Sequence, residues 1–267
     1  IVFGDWSSDV CSSDLPDNAD AAMRSGFERD GLLQRTFEGK TQAWLCPSHA
    51  ANRTREAKAA AELVARYPDL AGVHLDFIRF PGSDSCFCET CRRGLEQAQG
   101  RKVASWPADV RRDAAWAEAW RQYRRQVISR TVRETAAAVR RERPSARVSA
   151  AVFSNWASAR DGVGQDWAAW AKDGDVDFLC PMSYHEQAQS LQSDVQRQRA
   201  WVQQTRAAAY PGIGVSTGKL DALETLRQIN VTRAAGTGGF VLFEFGRREA
   251  TEVLPALAPA LGGQAPR

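Results

Sequence analysis

The feature that most constrains this chain is a recurring order of helix and then short apolar strand, running from residue 53 to residue 245. Residues 53–67 (RTREAKAAAELVARY) are helical by composition and lead into AGVHLDFIRF at 71–80. A long helix follows over roughly 113–142, where Trp116, Trp120, Tyr123 and Val127 recur at the spacing of one buried face. Pro144 ends it, and RVSAAVF at 147–153 reads as the next strand. A short helix at 165–172 then precedes VDFLCPM at 176–182, and a helix at 191–208 precedes YPGIGV at 210–215. A last helix at 220–235 precedes GGFVLFEF at 238–245. Parallel neighbours need a crossover, and a helix supplies it, so five such units in a row imply an α/β chain with a parallel sheet.

Two parallel architectures compete. A doubly wound nucleotide-binding sheet would carry a glycine-rich phosphate loop after an early strand, and neither G-x-G-x-x-G nor G-K-[ST] follows any strand here. The expected fold is therefore a parallel (β/α)8 TIM-type barrel. Such a barrel takes about 250 residues. This chain has 267, shows five strands, or six if AWLC at 43–46 counts, and spends residues 82–112 on an insertion. The expectation is an N-terminally truncated barrel over residues 16–254, with the first strands missing and an open sheet edge. Residues 1–15 are set aside: Asp5 to Leu15 (DWSSDVCSSDL) read as a translated sequencing adapter rather than native protein. Residues 255–267 read as a low-complexity tail.

Barrel enzymes keep their chemistry at the C-terminal strand ends. Here those ends carry His74, Asp76 and Arg79; Ser154, Asn155 and Trp156; Ser183, Tyr184 and His185; Gly214 and Ser216; and Glu244. Side chains alternate along a strand, so His74 and Asp76 share one face while Val73, Leu75 and Phe77 share the other. The apolar set should meet the helices, leaving His74 and Asp76 in the barrel mouth. A carboxylate there is costly to desolvate unless it is paired or used; an ion pair with Arg79 is the structural alternative to a role in chemistry. Glu244 is the second acid, with a rim salt bridge to Arg247 or Arg248 as its alternative. Two such carboxylates suit glycosidic bond hydrolysis. Asn155, Trp156, Tyr184 and His185, with His74 and Arg79, are the expected substrate-binding groups, because aromatic faces stack on pyranose rings. Trp116, Trp120, Trp167 and Trp170 are assigned to the core.

Cys86, Cys88 and Cys91 form C-x-C-x2-C directly after the Asp76 strand. Three thiolates this close can converge on one ion, tetrahedral zinc wants a fourth ligand, and Cys46 is the natural choice. Disulfides are the rival reading. Four protein thiolates leave no open position, so the expected zinc is structural. Cys180 lies within a strand and reads as a small buried residue.

Other classes gain no support. The formal charge is +3 and the arginines are dispersed through helices, so nothing marks a nucleic-acid interface. No window of about eighteen apolar residues suggests a membrane span. The oligomeric state is not legible.

With these residues in place, a resemblance emerges. WLCPSH (44–49), GVHLDFIRFP (72–81), FSNW (153–156), VGQDWAAW (163–170), DFLCPMSY (177–184), YPGIG (210–214) and GGFVLFEF (238–245) resemble the bacterial glycosyl-hydrolase-like family ten group. The resemblance implies a barrel and glycosidase activity on a polysaccharide. Some relatives act on peptidoglycan glycan strands, which implies a secreted or cell-envelope location. The cysteine segment is similar to the zinc-binding segment of family-42 β-galactosidases, which implies ligand roles for Cys46, Cys86, Cys88 and Cys91. That likeness departs at the strand end: those enzymes have an Asn-Glu pair where this chain has Phe77, Ile78 and Arg79. A carbohydrate-binding barrel without catalysis, and a metal-dependent hydrolase using the cysteine site, are the competing readings.

Overall fold

The computed structural model describes residues 21–217 and 219–261; the expectations for residues 1–15 and for the end of the tail lie outside the described residues. In chain order the elements are α1 (Ala21–Arg29), β1 (Leu33–Arg35), β2 (Thr41–Leu45), α2 (Ala50–Arg66), β3 (Gly72–Leu75), α3 (Glu89–Gln99), α4 (Asp109–Arg112), α5 (Ala114–Glu142) and β4 (Arg147–Phe153). Then come α6 (Trp156–Val163), α7 (Trp167–Asp173), β5 (Phe178–Met182), α8 (Ala188–Val202), β6 (Ala208–Ala209), β7 (Gly212–Gly214), α9 (Ala222–Ala234), β8 (Val241–Phe243) and α10 (Leu254–Leu257).

The chain is α/β with a parallel sheet. Strands β3, β4, β5 and β6 pair in that order, all parallel, and β7 pairs parallel with β8. Among the described residues these are two hydrogen-bonded groups rather than one continuous ring. Gly72 opens the larger sheet because nothing bigger fits: a Cβ there would lie 1.9 Å from the Arg147 carbonyl oxygen across the β3–β4 pair.

The register decides what faces what. Leu75, Ala150, Leu179 and Ala209 form one cross-strand row, all buried among residues of the surrounding helices. The neighbouring row is His74, Ser149, Phe178 and Ala208, on the opposite face. The long helix α5 lies against α2 and presents Trp116, Trp120, Tyr123, Val127, Ile128, Val132, Ala136 and Val139 to the core. Its start is fixed by Asp113, whose carboxylate accepts from the amides of Ala115 and Trp116 at 2.8 and 3.0 Å, satisfying donors that no preceding turn can.

Three expectations change. The AWLC segment is not a parallel barrel strand: β2 pairs antiparallel with β1 as a hairpin. The strand expected over 210–215 is shorter, β7 at Gly212–Gly214, and a separate strand, β6, precedes it at Ala208–Ala209; Pro211, between them, has no amide to donate. The strand expected over 71–80 stops at Leu75, and Phe77 takes φ = +51°. That turn breaks the alternation, so Ile78 and Phe80 bury in the core while Phe77 packs edge-on against Trp44, ring centroids 6.0 Å apart, rather than on the helices.

Candidate active site and metal centre

The inner face continues past the strand ends. Asp76 follows β3, half-buried, with its Oδ1 accepting from the Phe77 amide at 2.7 Å. His74 sits one pleat below it and pairs through Nδ1 with Ser149 Oγ at 2.8 Å. Burial lowers the His74 pKa, and the Asp76 charge opposes that shift. Across the sheet, burial pushes the Cys180 thiol up to about 12, and Asp76 adds to the effect. Cys180 is buried, as expected, and its register places it on the strand face that His74 and Ser149 share.

Tyr184 connects the two acids. Its ring stacks on Phe243, centroids 5.2 Å apart and planes 15° from parallel. Its hydroxyl is held above its ordinary pKa by burial first, then by the charges of Asp76, Cys180 and Glu244. Glu244 follows β8 and is exposed.

Other predicted residues have different surroundings. The Arg79 guanidinium lies 5.0–5.4 Å from the ring centroids of Phe153, Phe77 and Trp44, a cation held by aromatic faces at the rim. Asn155 caps α6, accepting from the Ser158 amide at 3.1 Å. Trp156 donates to Asp166 at 2.7 Å and packs against Trp201 of α8, so its ring is held among helices. His185 pairs with Asp194 of α8 at 2.7 Å, and its carbonyl accepts from Gln228 of α9. His74 and Asp76 share one strand face, and the charges of Asp76 and Glu244 both reach the Tyr184 hydroxyl; Asn155, Trp156 and His185 make helix contacts.

Sequence reasoning missed several rings. Phe153 is 37% exposed at the end of β4, and Phe243 precedes Glu244 and stacks on the predicted Tyr184. Phe178 and Tyr210 meet edge to face at 5.0 Å lower on the same face. A shallow cavity of about 380 Å³ opens beside Phe153, lined also by Ser154, Asn155, Ser158, Ala159, Val163 and Met182. The signal was available: these rings keep the two-residue step of Asp76's face along each strand.

The second constellation is the cysteine cluster. Cys46, Cys86, Cys88 and Cys91 are all buried and all free of disulfides, and their sulfurs lie within 4.8 Å of one another. Cys46 Sγ is 3.6 Å from Cys88 Sγ and 3.5 Å from Cys91 Sγ. Four sulfurs at about 2.3 Å from a tetrahedral ion stand about 3.8 Å apart, so the set fits a metal. Burial raises the Cys46 and Cys91 thiols, while hydrogen bonds from the other three cysteines hold Cys88 down. Four thiolates together need a cation. The cluster joins the end of the β1–β2 hairpin to α3, and Ser48 Oγ ties Cys91 Sγ to the Tyr123 hydroxyl of α5, each at 3.1 Å.

The family model described as Glycosyl hydrolase-like 10 matches residues 24–222. No curated protein matches the chain. Among solved structures, the fold is similar to the catalytic domain of β-amylase from Paenibacillus polymyxa, at 13% identity and TM-score 0.64 over 95% of this chain and 80% of that one. It is also similar to β-galactosidase from Bacillus circulans sp. alkalophilus, at 12% identity and TM-score 0.60 over 85% of this chain. Bee venom hyaluronidase, solved with a hyaluronic acid tetramer, aligns at 16% identity and TM-score 0.52 over 85% of this chain and 84% of that one. The chain spans 39% of the length of the Bacillus β-galactosidase. At these identities the likeness concerns the fold.

Proposed function

The chain belongs to the glycosyl hydrolase-like 10 family, and from that premise we propose that it hydrolyses glycosidic bonds of a polysaccharide at the mouth framed by Asp76 and Glu244. The observation that supports this reading best is the stack of Tyr184, just past the end of β5, on Phe243, the residue before Glu244, with Asp76 at the end of β3 in the same parallel sheet as β5. In glycoside hydrolysis one carboxyl gives its proton to the leaving oxygen while the other carboxylate serves the anomeric carbon, directly or by deprotonating a water. Asp76, half-buried beside aromatic rings, suits the acid/base role, and exposed Glu244 the second. His74, two residues before Asp76 on the same face, is proposed as a substrate-binding group. Tyr184 and Phe243 supply a stacked floor for a sugar ring, and Arg79 a rim cation. We further propose the arc of strands as part of a (β/α)8-type barrel, and a bacterial or environmental glycan such as peptidoglycan as the substrate class, met outside the cell or in its envelope.

Zinc is the proposed occupant of the four-cysteine group, with a structural role. Its four thiolate ligands come from the chain, leaving no place for a reacting water, so the chemistry stays with the carboxylates.

Asp76→Asn tests the proposal. The amide keeps an oxygen to accept from Phe77, so the melting temperature should hold, while reducing-sugar release falls by at least about 10²-fold. Undiminished release in a folded Asp76→Asn protein removes Asp76 from the mechanism. A second reading, glycan binding without turnover, draws on the exposure of Glu244; binding with no release across a broad glycan panel would favour it.

A further inference from the structure

Past the end of β5 the segment Ser183, Tyr184, His185 leaves the sheet. The Ser183 amide donates to the Pro181 carbonyl at 2.8 Å, and the His185 amide to the Ser183 carbonyl at 2.9 Å. Tight turns of this kind tie a segment to itself without anchoring it to the fold. The anchoring comes from two helices. Gln198 of α8 donates through Nε2 to the Ser183 hydroxyl at 2.7 Å and to the Ser154 carbonyl, just past β4, at 3.1 Å. Gln228 of α9 donates to the His185 carbonyl at 2.9 Å, and Asp194 of α8 pairs with the His185 ring at 2.7 Å. Both glutamines are 0% exposed. They stand on buried helix faces, Gln198 with Leu191, Val195 and Val202, Gln228 with Ile229. Each leaves its Oε1 without a hydrogen-bond partner. An orphaned buried acceptor lowers stability, so packing alone would favour an apolar side chain of the same length at both positions.

We propose that Gln198 and Gln228 are positioning residues for sugar binding: together they fix the segment that carries Tyr184, and Gln198 also sets the spacing between the Phe153 and Tyr184 rings. The inference rests on the reading of Tyr184 as part of the floor for a sugar ring. Phe153 and Tyr184 are 37% and 38% exposed. Each is followed or preceded directly by a residue that Gln198 holds, Ser154 after Phe153 and Ser183 before Tyr184. One amide nitrogen, with its two N–H groups at a fixed angle, thus bridges the two loops that bear the rings. Gln228 holds His185 on the other side of Tyr184, so both chain neighbours of Tyr184 are gripped by buried amides while Phe243 stacks on its ring. A floor that meets substrate and transition state alike governs affinity rather than turnover. Loosening it raises KM and leaves kcat in place.

The test combines kinetics with a probe of the ring. Wild type, Q198M, Q228M and S183A are assayed for reducing-end release from soluble peptidoglycan glycan strands. The same proteins, labelled with fluorotyrosine, are followed by fluorine NMR. The chain has four tyrosines, and Y184F assigns the Tyr184 resonance. Methionine keeps the length of glutamine without its donors. Q198M should shift or broaden the Tyr184 signal and raise KM by at least about fivefold, the worth of one hydrogen bond, with kcat within about twofold of wild type. Q228M should move the same signal. If Q198M does not fold, S183A decides, since it removes only the hydroxyl that Gln198 holds; it should move the signal and raise KM by at least about twofold. An unmoved Tyr184 signal in the deciding variant overturns the proposal, as does an unchanged KM. So does a fall in kcat that follows the melting temperature, the mark of a merely structural role. A wild-type protein that releases no reducing ends overturns the hydrolase reading instead, and the glutamines are then judged by binding. The strands should shift the Tyr184 signal of wild type at concentrations about fivefold lower than in the variant; an equal response in the two, or none in either, overturns the proposal.

Discussion

Gly212→Ala is the sharpest probe of how the mouth is built. A methyl carbon there would sit 2.9 Å from Tyr184 Cε1, 3.1 Å from the Pro181 carbonyl oxygen and 3.6 Å from Met182 Cα. The last two are backbone of β5 and cannot give way, so the ring must. Restoring ordinary van der Waals contact moves it by about 0.5–1 Å, off its stack with Phe243. The lost stacking is worth about 0.5–1.5 kcal/mol, and overpacking of this kind costs about 1–3 kcal/mol in all. For a domain of this size that is a fall of roughly 2–10 °C in melting temperature. Calorimetry of Gly212→Ala, Tyr184→Ala and the double variant reads the contact directly. With the ring gone, Gly212→Ala should cost less than half as much, a coupling of about 1 kcal/mol. Displacing the ring by this distance should also lower kcat/KM by as much as about 10²-fold. Stability effects that add within about 0.5 kcal/mol would refute the argument that Gly212 exists to seat Tyr184.

Two further predictions concern the rest of the molecule. Cys86→Ser removes one of four converging sulfurs from a buried cluster that joins the hairpin, α3 and α5; it should cost at least about 2 kcal/mol, and chelation should abolish most of the difference from wild type in the melting temperature. Burial raises Glu56 of α2 to about 7, against its ordinary 4.5. The folded state then holds a proton that the unfolded state releases, so stability is highest below pH 4.5, declines from there to pH 7, and is flat above. Denaturation of Glu56→Gln across that range should lose this component of the slope; an unchanged slope would show that Glu56 does not titrate as its burial implies.

β3, β4, β5, β7 and β8 were legible because each lies in an apolar run bounded by breakers, and the longer helices followed from composition and periodicity; the short strands β1 and β6 and the helices α3 and α4 within the 82–112 insertion carry no such pattern. Boundaries failed where local chemistry competed. Asn155 read as a strand-end binding group, yet Asn155 and Ser158 form a helix cap, and the 156–163 helix that follows passed unnoticed. Trp156 was read with it, although Asp166, ten residues on, takes its indole N–H. The cysteine cluster was legible because three ligands fall within six residues and one other cysteine precedes a helix nearby. Tyr210, Phe243 and Trp44 were missed because their significance lies in pairings between distant segments. No local pattern announces that Tyr184 will stack on a ring 59 positions later; the strand parity that places both on one face does.

Phe77 illustrates why Asp76 was readable and its setting was not. Among the described residues it is the only non-glycine with positive φ, a conformation that costs a bulky L-residue about 1–2 kcal/mol. Glycine would relieve that cost, so the sequence contains no turn signal, and strict alternation sent Phe77 to the helices. What offsets the cost is visible only in three dimensions. The turn aims the Phe77 amide at Asp76 Oδ1, 2.7 Å away, brings its ring against Trp44 and beneath the Arg79 guanidinium, and returns Ile78 and Phe80 to the core. A glycine at 77 would keep the hydrogen bond and lose both ring contacts. The strained residue thus stands beside the proposed acid because one backbone turn both holds its carboxylate and builds the aromatic rim around it.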